Sequence, residues 1–329
     1  MPNRWAAGRV CYIKLDAVQA NILKIPMGKL RVSVVEYLNT APLVWGFTDG
    51  PLAGRYDLNF TVPALCAEAV RNASSDIGII PAIEYQRMDG VVAFGDMAIA
   101  ARGEVRSLLV VAKRPIDRAR SIALDTSSRS TSAMVRLLAK NRWKIEPEFI
   151  DAPPDPVAML ARADAALVIG DPALRIAVKI DALHSKTPHA GEPCCTDDPE
   201  AAPVPGVSML FVYDIGLEWR EWTGLPAVLA LWVARKEVAT SEVAADFLAS
   251  KEYGLAHIPE IAERASDQLQ LPQSTIETYL RDNINFDLDE ENLAGLDRYF
   301  RECAQAGLID GLRPLERMRP SPQAHGAIR

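Results

Sequence analysis

The 329-residue chain has no apolar run of about 18 residues, so no membrane-spanning helix is expected. It also lacks a basic excess: 43 acidic residues against 36 Lys and Arg give a formal net charge of -7. With no basic stripe to neutralise phosphates, a nucleic-acid partner is not expected. Histidine is scarce, and His184, His189, His257 and His325 all fall in loop, C-terminal helix or tail. There is no Walker loop, no GxGxxG after a strand, no HExxH and no paired CxxC, which leaves nucleotide, dinucleotide and zinc-peptidase chemistry without support. Cysteine is limited to Cys11, Cys66, Cys194, Cys195 and Cys303. Free thiols are the expectation. The adjacent Cys194-Cys195 pair is poorly spaced for zinc, so no metal is expected, and 185–207 reads as a surface loop rich in Pro, Gly, Asp and Cys. Residues 1–27 contain no continuous apolar core and no small-residue cleavage site, so no signal peptide is expected and the location predicted is cytoplasmic. Met27-Gly28-Lys29 directly precedes the first strand, which makes Met27 a candidate start and 1–27 a disordered or mis-called extension.

What the chain does have is one construction used four times: apolar strand, short polar turn, helix. Val32-Ser33-Val34-Val35 runs into Tyr37-Leu38-Asn39-Thr40-Ala41-Pro42-Leu43. Asp76-Ile77-Gly78-Ile79-Ile80 runs into Pro81-Ala82-Ile83-Glu84-Tyr85. Ser121-Ile122-Ala123-Leu124 precedes Ser127-Ser128-Arg129-Ser130-Thr131-Ser132, and Ala165-Ala166-Leu167-Val168-Ile169 precedes Gly170-Asp171-Pro172-Ala173-Leu174. In α/β sheets, ligands bind beyond the carboxyl ends of parallel strands. Helix N-termini there offer free N–H groups and a positive dipole end, suited to a carboxylate or phosphate. Four such turns predict one small anionic ligand in a cleft.

The length suits two domains, and 49% hydrophobic with 24% charged residues describes a folded globular chain. Short strands are predicted at 91–94 and 97–101, helices at 63–72, 131–143 and 156–163, and an amphipathic helix over 290–305, where Leu293, Leu296, Tyr299, Phe300 and Cys303 share a face. Two long apolar strands, near 107–112 and 228–234, divide the chain. The expected organisation is α/β and two-lobed, with a central cleft: lobe I from 28–112 plus 234–312, lobe II from 113–233, and a flexible tail over 313–329. The oligomeric state is left open.

Asn39 can donate and accept to a ligand, or it can cap the helix ahead of Pro42. The hydroxyls around Arg129 exceed what one helix cap needs, so Ser128, Arg129, Ser130, Thr131 and Ser132 are candidates for binding a carboxylate. Pro81, Glu84 and Ser107 are further substrate-binding candidates, although a first-turn Glu also pairs with the helix dipole. Asp171, before Pro172, reads as a helix cap or as a catalytic carboxylate.

Together, the YLNTAPL turn, 76–85, 128–132, 169–174, 219–226 and 230–235 resemble, in this order, the chorismate dehydratase family, which opens the futalosine route to menaquinone. The resemblance covers roughly 30–310. It implies a type-2 periplasmic-binding-protein fold in a cytoplasmic enzyme without cofactor. It implies the hydro-lyase reaction of chorismate to 3-[(1-carboxyvinyl)oxy]benzoate and water. By position, Asn39 matches the active-site amide, Ser128–Ser132 the substrate-carboxylate loop, and Asp171 the family's IGD aspartate. Residues 185–207 depart from the pattern by their length. A sister branch, which makes 1,4-dihydroxy-6-naphthoate, is expected to carry His where Asp171 stands. A non-catalytic binding protein for a small carboxylate is the alternative of another class.

Overall fold

The computed structural model describes residues 28–183, 193–196, 202–207 and 209–320; the expected 1–27 extension and most of the 185–207 loop lie outside them. Its strands are β1 (Arg31–Val35), β2 (Asp57–Thr61), β3 (Ile77–Pro81), β4 (Val91–Ala101), β5 (Leu108–Ala112), β6 (Ser121–Asp125), β7 (Glu148–Ala152), β8 (Ala165–Ile169), β9 (Pro193–Cys195), β10 (Met209–Asp214), β11 (Ala227–Arg235), β12 (Asn285–Asp287) and β13 (Arg317–Met318). Its helices are α1 (Ala41–Thr48), α2 (Pro63–Arg71), α3 (Ala82–Gln86), α4 (Arg129–Asn141), α5 (Pro156–Arg162), α6 (Gly170–Leu183), α7 (Ile215–Thr223), α8 (Ser241–Ala256), α9 (Ile258–Leu269), α10 (Gln273–Thr278) and α11 (Glu290–Gln305).

The strands form two mixed sheets. One runs β12-β4-β11-β3-β1-β2, with β13 alongside β4; the other runs β7-β6-β8-β5-β10-β9. Within each sheet three strands are parallel, β2-β1-β3 in the first and β7-β6-β8 in the second. An antiparallel strand closes each set, β11 beside β3 and β5 beside β8. This corrects the expected boundaries at 112/113 and 233/234. Those limits left β5 and most of β11 in the lobe the chain is leaving; hydrogen bonding puts each in the lobe it enters. Both strands are apolar on both faces, so no alternation marks which sheet receives them.

Asp214 fastens the two crossovers together. Its carboxylate accepts from the N–H groups of Val105 (3.1 Å) and Arg106 (2.6 Å) on the outgoing segment, and caps α7 through Gly216 (2.9 Å) and Leu217 (3.1 Å) on the return. Burial pushes this carboxyl up to about 6, against the pull of those donors.

Local chemistry explains most element bounds. Pro63 and Pro156 occupy first helical positions, where a missing N–H costs nothing. Asp155, Asp214 and Asp289 cap α5, α7 and α11 with their side chains. The two short strands expected over 91–101 are one strand, β4. The Gly95-Asp96 pair reads as a break, but pairing with β11 carries the chain across it with an irregular register. The 193–195 segment, expected to be loop, is strand β9 on β10, with Cys194 buried and Cys195 exposed.

The expected flexible tail is also corrected in its described part. The Arg313 N–H donates to Gln86 Oε1 (2.7 Å), the Glu316 N–H to the Tyr85 hydroxyl (2.8 Å), and β13 pairs with β4. The Arg313 guanidinium lies 4.1 Å from the Tyr85 ring centroid. Proline and arginine composition suggests fraying, but β4 has a free edge there and Tyr85 a free face.

Candidate active site

All four strand–turn–helix units deliver residues to one cavity of about 50 Å³ between the sheets. Tyr37 and Asn39 follow β1, Pro81 ends β3, Ser128 and Thr131 follow β6, and Ile169 and Gly170 join β8 to α6. Val35, Pro63, Ile99, Leu108, Leu229 and Ala230 complete an apolar wall. The lining contains no carboxylate, histidine or lysine.

Asn39 sits in a 3-10 turn, Leu38–Thr40, and is 8% exposed. Its side chain caps neither that turn nor α1. The Thr40 hydroxyl approaches its Oδ1 at 3.4 Å. Across the cavity, Ser128 stands at the N-cap of α4 without a side-chain cap bond, its hydroxyl donating instead to Thr131 Oγ1 (2.9 Å). The first turn of α4 therefore presents N–H groups that no capping side chain occupies, at the positive end of a 13-residue helix. This is an anion-receiving arrangement.

The other sequence candidates divide. Ser130 is turned away: its hydroxyl accepts from the Ile83 N–H (3.1 Å) and its carbonyl accepts from the Tyr299 hydroxyl (3.0 Å). The Ser132 hydroxyl donates to the Asp125 carbonyl (3.2 Å). Glu84 is 1% exposed at the centre of three guanidinium groups, Arg71, Arg87 (2.9 Å) and Arg129 (3.1 Å). Arg129 also pairs with Glu68 (2.8 Å). A buried carboxylate demands such compensation, so Glu84 and Arg129 satisfy each other and neither lines the cavity. Ser107 stands one residue before the lining residue Leu108 and accepts a 2.8 Å hydrogen bond from the Tyr279 hydroxyl.

Asp171 lies within the first turn of α6 and does not line the cavity with Asn39. Its Oδ1 accepts from the Leu38 N–H (3.1 Å), tying α6 to the Asn39 turn. Burial raises its carboxyl above the usual aspartate range, while the Leu38 N–H and the Arg175 charge oppose the rise. It borders a second pocket of about 330 Å³, walled by Leu38, Val44, Trp45, Phe60, Ile261 and Leu269, with Arg264 at its rim. Val35 and Tyr37 line both spaces. The Tyr37 ring is pressed against Gly170: a Cβ built there would lie 2.8 Å from it.

Two groups at this site escape sequence reading. Tyr37 is part of the first turn but carries no spacing signal of its own. Tyr279 is 172 residues from Ser107, and only the fold brings them together.

Two mixed sheets with a cavity at the carboxyl ends of their parallel strands define a protein of the periplasmic-binding-protein fold. The solved structures agree. An Archaeoglobus fulgidus protein matches with a TM-score of 0.60 at 19% identity, covering 85% of this chain and 98% of that one. The alkanesulfonate-binding protein of Xanthomonas axonopodis, solved bound to MOPS, matches with a TM-score of 0.56 at 12% identity over 87% of this chain and 96% of that one. A family model described as menaquinone biosynthesis matches residues 30–305, and the chain belongs to that family. A Thermus thermophilus relative named chorismate dehydratase is 24% identical over 240 residues, which are 72% of this chain and 83% of the relative. No described helix is long and apolar enough to cross a membrane.

Proposed function

We propose that this chain is a chorismate dehydratase. It removes the C4 hydroxyl and the C3 proton of chorismate to give 3-[(1-carboxyvinyl)oxy]benzoate and water. The observation that carries the reading is the cavity wall: a buried amide at Asn39 faces an uncapped helix end with two hydroxyls, and no carboxylate, histidine or lysine lies between them. Membership of the menaquinone biosynthesis family and the name of the Thermus relative support it.

The wall also bears on the mechanism. Aromatisation supplies the driving force, so a strong protein acid or base is not required. Tyr37 is the one ionisable side chain on the wall, and burial pushes its phenol further above its ordinary value, which disfavours the phenolate. Glu84 is held by arginines and Asp171 by Leu38. The remaining acceptor is the substrate's own enolpyruvyl carboxylate, adjacent to C3–H. In this reading the α4 N-terminus, Ser128 and Thr131 bind the ring carboxylate. Asn39 orients the enolpyruvyl carboxylate or the departing hydroxyl, and the apolar wall excludes water. The reaction belongs to the carbon–oxygen lyases.

Incubation with chorismate, followed by mass spectrometry, is the direct test. A product lighter by one water is expected; intact chorismate beside an active homologue would overturn the assignment. A passive carboxylate-binding protein of the same fold would retain ligand without changing its mass.

A further inference from the structure

Arg129 occupies the first position of α4, where the helix dipole is positive and a cation is locally unfavourable. Its guanidinium reaches across the seam between the lobes. Nη1 lies 3.1 Å from Glu84 Oε2 and Nη2 lies 2.8 Å from Glu68 Oε1, and both carboxylates belong to lobe I. Those carboxylates are also paired within lobe I. Arg71 bridges Glu68 (2.6 Å) and Glu84, and Arg87 holds Glu84 at 2.9 Å. Two carboxylates thus face two guanidinium groups before Arg129 arrives. Stranding a buried charge without a partner is costly, but here the lobes can part and leave Glu84 compensated. Arg129, already partly exposed, then returns to water. This is an ion pair that closure makes and opening breaks.

Its place in the chain gives closure a consequence at the cavity. Arg129 stands between Ser128 and Thr131, which line the cavity wall across from Asn39. The same turn meets lobe I at two further points. The Ala64 N–H donates to the Ser127 carbonyl (3.0 Å), and the Ile83 N–H donates to Ser130 Oγ (3.1 Å). Ala64 and Ile83 lie one and two residues beyond the lining residues Pro63 and Pro81. The seam therefore runs directly behind the cavity wall, and making it seats the anion-receiving end of α4 opposite Asn39.

Building on the dehydratase reading, we propose that Arg129 is a positioning residue: by locking onto Glu84 and Glu68 it couples closure of the lobes to assembly of the site that receives the substrate carboxylate. It acts through Ser128 and Thr131, which it carries into place.

Arg129→Gln and Glu68→Gln each remove one side of the latch at a partly exposed position. Each should raise KM about five-fold or more while kcat changes by less than about two-fold, because a smaller closed population weakens apparent binding. Glu68 supplies the discriminating sign. Were Arg129 a direct ligand of the substrate carboxylate, removing Glu68 would free it from a competing anion and lower KM. A lowered KM for Glu68→Gln, or an unchanged KM for either variant, overturns the proposal. Arg301→Gln breaks an exposed pair with Asp297 (2.8 Å) inside α11 and should leave KM unchanged; a rise equal to that of Arg129→Gln would overturn the latch. A second readout needs no turnover. The Ala64 and Ile83 N–H groups sit in first helical turns, where no carbonyl of their own helix serves them, so the seam bonds govern their hydrogen exchange. In the ligand-free protein, exchange at both should be faster in Arg129→Gln than in the wild type, with Ile79 in the β3 ladder unchanged. Equal exchange in the two proteins overturns the latch. If chorismate is left intact by the wild type while seam exchange accelerates in the variant, the dehydratase reading fails and the latch stands.

Discussion

In the proposed reaction, Asn39 is the residue on which the chemistry turns. The cap role that its place in sequence allows is not taken up, so its truncation should cost little stability, within about 1 kcal/mol. Loss of a donor that acts in the transition state costs far more rate, about 10²–10³-fold. Asn39→Ala should therefore melt near the wild type and turn over chorismate slowly, with a modest change in analogue affinity. Melting curves, analogue titration and steady-state kinetics on this one variant check all three. Destabilisation with unchanged kcat would remove Asn39 from the active site.

Asp171 makes the opposite forecast. Asp171→Asn keeps an oxygen for the Leu38 N–H and should cost only a few-fold in kcat, whereas loss of a true general base reaches about 10⁴-fold. The variant also carries a pH signature. Burial raises the folded-state pKa of Asp171 above its ordinary value of 3.8. The folded protein thus holds this proton more tightly than the unfolded chain. That contribution to stability is fully present below 3.8 and is lost as pH rises through the raised pKa. The Asn variant has no such loss, so its stability relative to the wild type should rise across that window. Denaturation at several pH values from about 3.5 to 7 measures the difference.

The elements that place Asn39 are held by close packing rather than by caps. At the crossing of α1 and α8, a Cβ on Gly254 would sit 2.0 Å from the Pro42 carbonyl oxygen, and Ser250 Oγ donates to the Leu43 carbonyl at 2.9 Å. Alanine is the better helix former by about 1 kcal/mol, yet overpacking costs about 1–3 kcal/mol, so Gly254→Ala should destabilise. The substitution also displaces the turn before α1, so kcat/KM should fall with stability. Equilibrium denaturation and kinetics test the pair of effects; a stabilised, fully active variant would show that the helices can part without moving the site. Gly170 is the matching contact in the second lobe: its φ of +66° and the Tyr37 ring against it leave no room for a side chain.

Across the whole molecule, the size of the cavity decides how substrate gets in. Ligand pockets run to about 300–1,000 Å³, and the space here is about 50 Å³. We infer that the lobes separate to admit chorismate. The bonds that span them include Leu38 to Asp171, Ala64 to Ser127, Ile83 and Tyr299 to Ser130, Arg129 to Glu68 and Glu84, Arg175 to Leu269, and Arg220 to Glu291. The two crossovers held by Asp214 are the natural hinge, since each connects the sheets without joining either. Small-angle scattering should give a larger radius of gyration without ligand than with a product analogue; an unchanged value would count against hinge closure.

Much of this was legible from the chain alone. The four strand–turn–helix units, the prolines that start α2 and α5 and the amphipathic face of α11 depend on local propensity and periodicity, which act between neighbours in sequence. That the turns would converge follows from the rule for carboxyl ends of parallel strands. What the tertiary structure alone decided was direction and partnership. Ser128 and Thr131 face the cavity, while Ser130 and Ser132 turn to backbone groups. Glu84 is surrounded by guanidinium groups, one of them from Arg129, 45 residues away. The sheets that take β5 and β11 and the approach of Tyr279 to Ser107 rest likewise on contacts between distant residues. Uniformly apolar strands and lone polar side chains carry no local mark of their partners; burial supplies that choice, because each buried polar group must find a partner among the groups that folding brings near it.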